Sequence, residues 1–160
     1  MYKERLVMKF TLITESDLEF VNEVRNDCAP FLHDPRTFTL EETKEWFKTK
    51  PLWWIIWKDG QRIGYFRTSN HVKRVLFIGA DLHKDYRGKG FGFESYCEFL
   101  PYIFKLYDLQ AVLLEVLETN ERGIGLYKKV GFLELRRSRI LRNGIEVESI
   151  LMELKKCNIL

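Results

Sequence analysis

Three glycines within five residues, Gly88, Gly90 and Gly92, separate a strand-like run, Arg74 to Leu82, from a helical pattern of Phe93, Tyr96, Leu100, Ile103 and Tyr107. A glycine-rich turn between a strand and a helix leaves main-chain N–H groups free at the helix start, where the helix dipole favours an anion. Arg87-Gly88-Lys89-Gly90-Phe91-Gly92 misses the G-x-G-x-x-G spacing, and no Gly-Lys-Ser/Thr ending follows, so neither a nicotinamide site nor a P-loop is supported. Taken alone, the loop is equally a plain flexible turn ahead of a helix.

The remaining segments alternate between strand and helix periods. Leu6 to Ile13 reads as a first strand, and Ser16 with Glu19 forms a capping-box pattern opening a helix from Asp17 to about Asp27. Thr39 with Glu42 repeats the box for a second helix, which Pro51 stops. Trp53 to Trp57 and Arg62 to Ser69 form a hairpin through Lys58-Asp59-Gly60, with Arg74 to Leu82 as the next strand. Pro101 should bend or split the long helix beyond the glycine loop. Ala111 to Leu117 is apolar apart from Glu115, which suits a strand buried on both faces. Asn120 to about Lys129 is a brief helix ended by Gly131, and Leu133 to Leu141 pairs with Ile145 to Leu154 through Asn143-Gly144. This order predicts a single α/β domain over residues 1–160, a mixed sheet with helices on its faces. Gly79, inside a strand, marks a bulge or a close backbone approach where a ligand could sit.

Composition narrows the function classes. With 160 residues, 46% of them hydrophobic, one core can be buried but hardly two. The sequence is too interrupted by charge for a membrane span of about 20 apolar residues. A net charge of +3 is too mild to argue for a nucleic-acid partner. Cys28, Cys97 and Cys157 are far apart, with no metal-binding spacing, and read as reduced thiols; no metal is expected. Met1 to Phe10 lacks the apolar centre of a secretory signal, and a cytoplasmic location is predicted.

A second segment, Asn120 to Phe132, decides how the glycine loop is read. Together the two segments resemble the GNAT superfamily of N-acetyltransferases. Arg87, Gly90 and Gly92 match its Arg/Gln-x-x-Gly-x-Gly/Ala loop. Asn120, Tyr127, Gly131 and Phe132 match its Asn-x-x-Ala-x-x-x-Tyr-x-x-x-Gly-Phe pattern, with Gly123 in place of the alanine. The resemblance covers about Arg74 to Leu154. Before Trp53 it rests on Val24-Arg25-Asn26 and Thr39-Leu40-Glu41-Glu42, similar to phrases in ribosomal-protein N-terminal and amino-sugar acetyltransferases. It implies the GNAT fold, with a splayed central strand pair, and acetyl-CoA as co-substrate. The diphosphate would sit on main-chain N–H groups of Gly88, Lys89, Gly90, Phe91 and Gly92, beside Arg87. The pantetheine arm would run past Gly79 to Leu82, giving Gly79 its reason. An N–H between Ala80 and Leu82 would polarise the thioester carbonyl. Asn120 would contact the cofactor or simply cap its helix.

Acetyl transfer to an amine needs a neutral amine, a polarised carbonyl and a route for the leaving thiolate. The motif match implies Tyr127 as proton donor to the sulfur. Glu115 is the candidate base, because a carboxylate in a buried strand is costly unless paired or functional. It stands twelve positions before Tyr127 within Leu-Glu-Val, as in ribosomal-protein N-terminal acetyltransferases. A structural carboxylate at the edge of the split and a water relay are the alternatives. His33 and Asp34 lie where the resemblance puts the acceptor pocket. Asp81, His83 and Asp85 read as a solvated strand end, and Arg136, Arg137 and Arg139 as cross-strand partners of Glu146 and Glu148. The expected activity is direct attack of a primary amine on acetyl-CoA, the acceptor being a small amine such as an amino sugar. A peptide N-terminus as acceptor and a non-catalytic CoA-binding module are the alternatives, and a homodimer is compatible with each.

Overall fold

The computed structural model describes residues 8–159, so Leu6 and Val7 of the first expected strand lie outside the described residues. Along the chain come β1 (Lys9–Leu12), α1 (Leu18–Cys28), α2 (Leu40–Phe47), β2 (Leu52–Lys58), β3 (Gln61–Val72), β4 (Val75–Leu82), α3 (Phe91–Leu106), β5 (Ala111–Leu117), α4 (Glu121–Val130), β6 (Leu133–Arg142) and β7 (Ile145–Lys155). The strands form one sheet in the order β1-β2-β3-β4-β5-β7-β6. Every neighbouring pair is antiparallel except β4 and β5. No helix among the described residues is long and apolar enough to cross a membrane.

Strand alternation sends side chains to two separate cores. Tyr65 of β3 and Ile55 of β2 meet Leu18, Val21, Val24 and Cys28 of α1. Their neighbours Phe66 and Ile56 turn to the opposite face, under Tyr96, Phe99, Leu100 and Ile103 of α3. Full burial of each such aliphatic or aromatic side chain contributes about 1.5–3 kcal/mol, so a one-residue slip of β3 would forfeit both faces together.

Two local expectations are corrected. The capping box before α1 is Thr14 with Asp17, not Ser16 with Glu19; the Thr14 N–H donates to Asp17 Oδ2 at 2.8 Å, and a 3-10 turn over Glu15–Asp17 precedes the helix. Asp17 is fixed there from β3 as well, because Arg62 Nε donates to its other oxygen at 2.8 Å. The second concerns α3: of the bend or split expected at Pro101, the split does not occur, and the helix runs through as one element. Pro101 lies on the exposed face, where water can satisfy the carbonyl that loses its partner, while Leu100, Ile103 and Phe104 hold the helix to the core.

The feature that positions a site is the junction of β4 and β5. They pair only over Val75–Phe77 and Ala111–Leu113. Beyond that point β4 stays laddered to β3 as far as Leu82, and β5 to β7 as far as Leu117. The central pair is therefore splayed, a gap bordered by two intact ladders, and the main-chain groups of β4 that face it have no strand to bond.

Candidate active site

A cavity of about 650 Å³ occupies this gap. Ala80 and Leu82 line it from β4, and Glu115 from β5. His33 and Asp34 reach it from the segment after α1, and Gly88, Gly90, Gly92, Asn120 and Tyr127 from the α3–α4 side. The split joins the two faces of the sheet, so side chains from opposite layers meet in one space.

The glycine loop has the shape of an anion cradle. Gly88 and Gly90 have φ of 71° and 85°, left-handed values at which a side chain is strained. Gly90 is the N-cap of α3 and brings no side chain to occupy the first-turn N–H groups. Gly92 serves packing: a Cβ there would stand 3.2 Å from Leu126 Cδ2, so the glycine lets α3 and α4 approach. Lys89 and Phe91 do not line the cavity. The Lys89 ammonium donates to Asp85 O at 2.9 Å, and the Phe91 ring faces the Lys58 ammonium at 5.0 Å. Arg87 does line the cavity, but its guanidinium is committed to protein partners, donating to Leu82 O at 2.9 Å, Asp27 Oδ2 at 2.6 Å and Cys28 Sγ at 3.0 Å. It ties the loop to α1. Burial pushes the Cys28 thiol up to about 11, leaving it protonated at neutral pH. Asn120 is the N-cap of α4, its Oδ1 accepting from Gly123 N at 3.0 Å, and it borders the cavity as well.

Glycine at position 79 makes room for an arginine rather than a ligand. A Cβ on Gly79 would lie 2.6 Å from one terminal nitrogen of Arg67, its cross-strand partner on β3. The guanidinium crosses that bare backbone to reach Asp81, with Arg67 Nε 3.2 Å from Asp81 Oδ2. Asp81 is consequently not part of a solvated strand end; its side chain is 3% exposed and faces Tyr65 across the ladder. His83 goes another way, to Glu23 at 3.2 Å. Sequence reasoning missed Arg67, although both Arg67 and Asp81 line the cavity. Its only signal is a glycine opposite an arginine, legible once the register is known.

Tyr127 comes from below the split. Its ring packs edge-on against Tyr96 and Phe132, with centroids 5.8 and 6.1 Å apart. Burial pushes its phenol above the ordinary value, and the Arg67 guanidinium counters that rise. The phenol is therefore protonated at neutral pH; of the neighbouring ion pair, the Arg67 guanidinium favours its conjugate base and the Asp81 carboxylate opposes it.

Glu115 is exposed within β5, so the expectation of burial on both faces fails there and the desolvation argument for a base falls away. What remains is position: it lines the cavity and, among the described residues, its carboxylate has no hydrogen bond or ion pair. Burial holds the His33 imidazole below its usual value, an effect the Glu115 carboxylate opposes. His33 Nε2 lies 2.8 Å from Ser149 Oγ. Asp34 is bound by the Arg36 guanidinium, which lowers its carboxyl to about 2. On the far hairpin Arg139 meets Glu146 at 3.8 Å and Arg137 meets Glu148 at 4.0 Å, loose surface pairs of small energetic weight.

The family described as "Acetyltransferase (GNAT) domain" matches residues 8–133. Among solved structures, a spermidine N-acetyltransferase from Vibrio cholerae in complex with CoA and spermine superposes with a TM-score of 0.86 at 18% identity, over 95% of this chain and 97% of the other. A ribosomal-protein-alanine N-acetyltransferase from Brucella melitensis gives 0.78 at 16% identity, over 92% and 99%. The yncA structure from Salmonella typhimurium, with its cofactor acetyl-CoA, gives 0.76 at 14% identity, over 92% and 93%. No curated protein matches the sequence significantly.

Proposed function

The chain belongs to the GNAT acetyltransferase family and is an acyl-CoA-dependent N-acetyltransferase; from that premise we propose that it acetylates a small primary amine by direct attack. One observation carries the reading: the split in the sheet brings Tyr127 from one layer and Glu115 from the other into a single cavity beside an uncapped, glycine-lined helix start.

The residues fit acetyl-CoA. The N–H groups from Gly88 to Gly92 would hold its diphosphate, since the left-handed glycines open the backbone and no cap competes for the donors. The unladdered edge of β4 from Ala80 to Leu82 would supply the N–H that polarises a carbonyl. Asn120, already a cap through Oδ1, would turn the rest of its amide towards the cofactor. When bound, the co-substrate supplies an activated acetyl thioester. Tyr127 would give its phenolic proton to the departing sulfur, the Arg67 guanidinium would ease the negative charge left on its oxygen, and solvent would return the proton before the next turnover. Glu115 accepts a proton from the acceptor amine at the open side of the gap. Among the described residues no side chain competes for its carboxylate, which suits that role, and its exposure lets it pass the proton on to solvent.

His33 and Asp34 would border the acceptor. The acidic and basic side chains at that end largely offset one another: Asp34 has Arg36 and Asp81 has Arg67. A compact amine such as an amino sugar suits this balance. A peptide N-terminus is the second reading, favoured by Glu115 preceding Tyr127 by twelve positions within Leu-Glu-Val. We also place the enzyme in the cytoplasm, supported by three cysteines that are all free.

Release of free CoA from acetyl-CoA, measured with glucosamine, spermidine and a tetrapeptide bearing a free N-terminal alanine, tests the acceptor. Glucosamine or spermidine should give the highest kcat/KM. Preference for the tetrapeptide would move the assignment to protein N-termini. With the preferred amine, Glu115→Gln should lower kcat/KM by about 10²-fold, the lower end of what a positioned base contributes. An unchanged value would hand deprotonation to water.

A further inference from the structure

The segment that reaches the cavity after α1 is held in place by residues far along the chain. Arg142, the last residue of β6, donates from Nε to Leu32 O at 2.9 Å. One of its terminal nitrogens donates to Ala29 O at 3.1 Å and to Pro30 O at 3.0 Å. These carbonyls end α1 and the 3-10 turn Ala29–Phe31 that extends it. Carbonyls at a helix end, with lone pairs left to share, and the negative end of the helix dipole both favour a cation there. A planar guanidinium can serve three such oxygens in one arrangement, which a lysine ammonium on a flexible stem does less well.

The next residue along is anchored to the same hairpin. His33 Nε2 meets Ser149 Oγ of β7 at 2.8 Å, and Ser149 is buried. On the other side Arg25 of α1 donates to Asp34 O at 2.9 Å. Leu32, His33 and Asp34 all line the cavity. The wall between α1 and the gap thus takes its shape from the β6–β7 hairpin, through contacts separated by 110 to 116 positions in sequence.

We propose that Arg142, assisted by Ser149, is the positioning residue that sets the acceptor end of the cavity, so that the C-terminal hairpin governs which amines enter. The proposal rests on the reading of His33 and Asp34 as acceptor-side residues. Arg142 touches neither the glycine loop nor Tyr127, so its loss should act on amine recognition and leave the cofactor end intact.

The test uses Arg142→Gln, Arg142→Lys and Ser149→Ala with whichever of glucosamine, spermidine or the alanine tetrapeptide the wild-type enzyme acetylates best. For Arg142→Gln the amine KM should rise by about tenfold or more with kcat within about twofold, the pattern expected when uniform binding is lost. Arg142→Lys and Ser149→Ala should show smaller rises in the same direction. CoA affinity by calorimetry should be unchanged in all three. Hydrogen exchange should quicken at the amides of Leu32, His33 and Asp34 and stay as in wild type at the start of α3. Faster exchange at those amides with an unaltered amine KM would overturn the proposal, as would a fall in kcat at constant KM. Should Arg142→Gln fail to fold, the two milder variants decide by the same criteria. Failure of the functional reading looks different: the wild-type enzyme would release no CoA with any of the three amines, and the proposal would fall with it.

Discussion

Tyr127→Phe is expected to lower kcat by about 10²–10⁴-fold, the usual contribution of a positioned general acid, while CoA binding measured by calorimetry stays within about twofold of wild type. The substitution removes one hydroxyl and keeps the ring. The edge-on contacts with Tyr96 and Phe132 therefore survive, and a collapse of the core is not the explanation for lost turnover. The sign of the effect follows from the electrostatics. Burial keeps the phenol protonated and available as a donor at neutral pH, and Arg67 eases the charge that appears once the proton has gone. A variant with full kcat would show that the thiolate departs without help from this residue.

Arg67→Met is expected to destabilise the fold by about 3–5 kcal/mol, because it strands a charged partner in the interior. The Arg67 side chain is 34% exposed, which would ordinarily reduce the weight of its ion pair, but Asp81 is only 3% exposed, so little water reaches its carboxylate in the native packing. The cost therefore belongs to the abandoned carboxylate. Replacing both partners, as Arg67→Met with Asp81→Leu, should recover most of the loss, since a well-packed apolar pair commonly equals or exceeds a buried ionic one. Urea denaturation of the two single variants and the double variant measures this coupling. Strictly additive losses would show that the two side chains do not stabilise each other. The double variant should still be a poor enzyme, because the cation beside Tyr127 is gone.

These expectations draw on features of differing legibility. The Thr39–Glu42 cap, with Glu42 N donating to Thr39 Oγ1 at 3.1 Å and Thr39 N to Glu42 Oε2 at 2.7 Å, was readable because its parts lie within one helical turn. The Asn143-Gly144 hairpin was readable for the same reason; both residues have positive φ, 51° and 73°. Thr14–Asp17 is not singled out by the sequence because Ser16–Glu19 satisfies the same rule; in the fold Asp17 also accepts from Arg62, 45 positions away, a contact the local pattern does not contain. Glu115 was misplaced because an apolar run looks alike whether its strand is fully laddered or faces a gap.

The sequence by itself determined the element order, the two faces of the sheet and the glycine turn, each from spacing between residues a few positions apart, and the family from two such motifs, Arg87–Gly92 and Asn120–Phe132, read in order. Tertiary structure alone decided that Gly79 accommodates Arg67, that Asp81 is buried, that Arg87 binds α1 and that Arg142 binds the carbonyls of Ala29, Pro30 and Leu32. Those facts depend on strand register and on contacts spanning from 12 to 113 positions. Periodicity within a segment fixes which face a side chain takes, and only the assembled sheet fixes what it meets there.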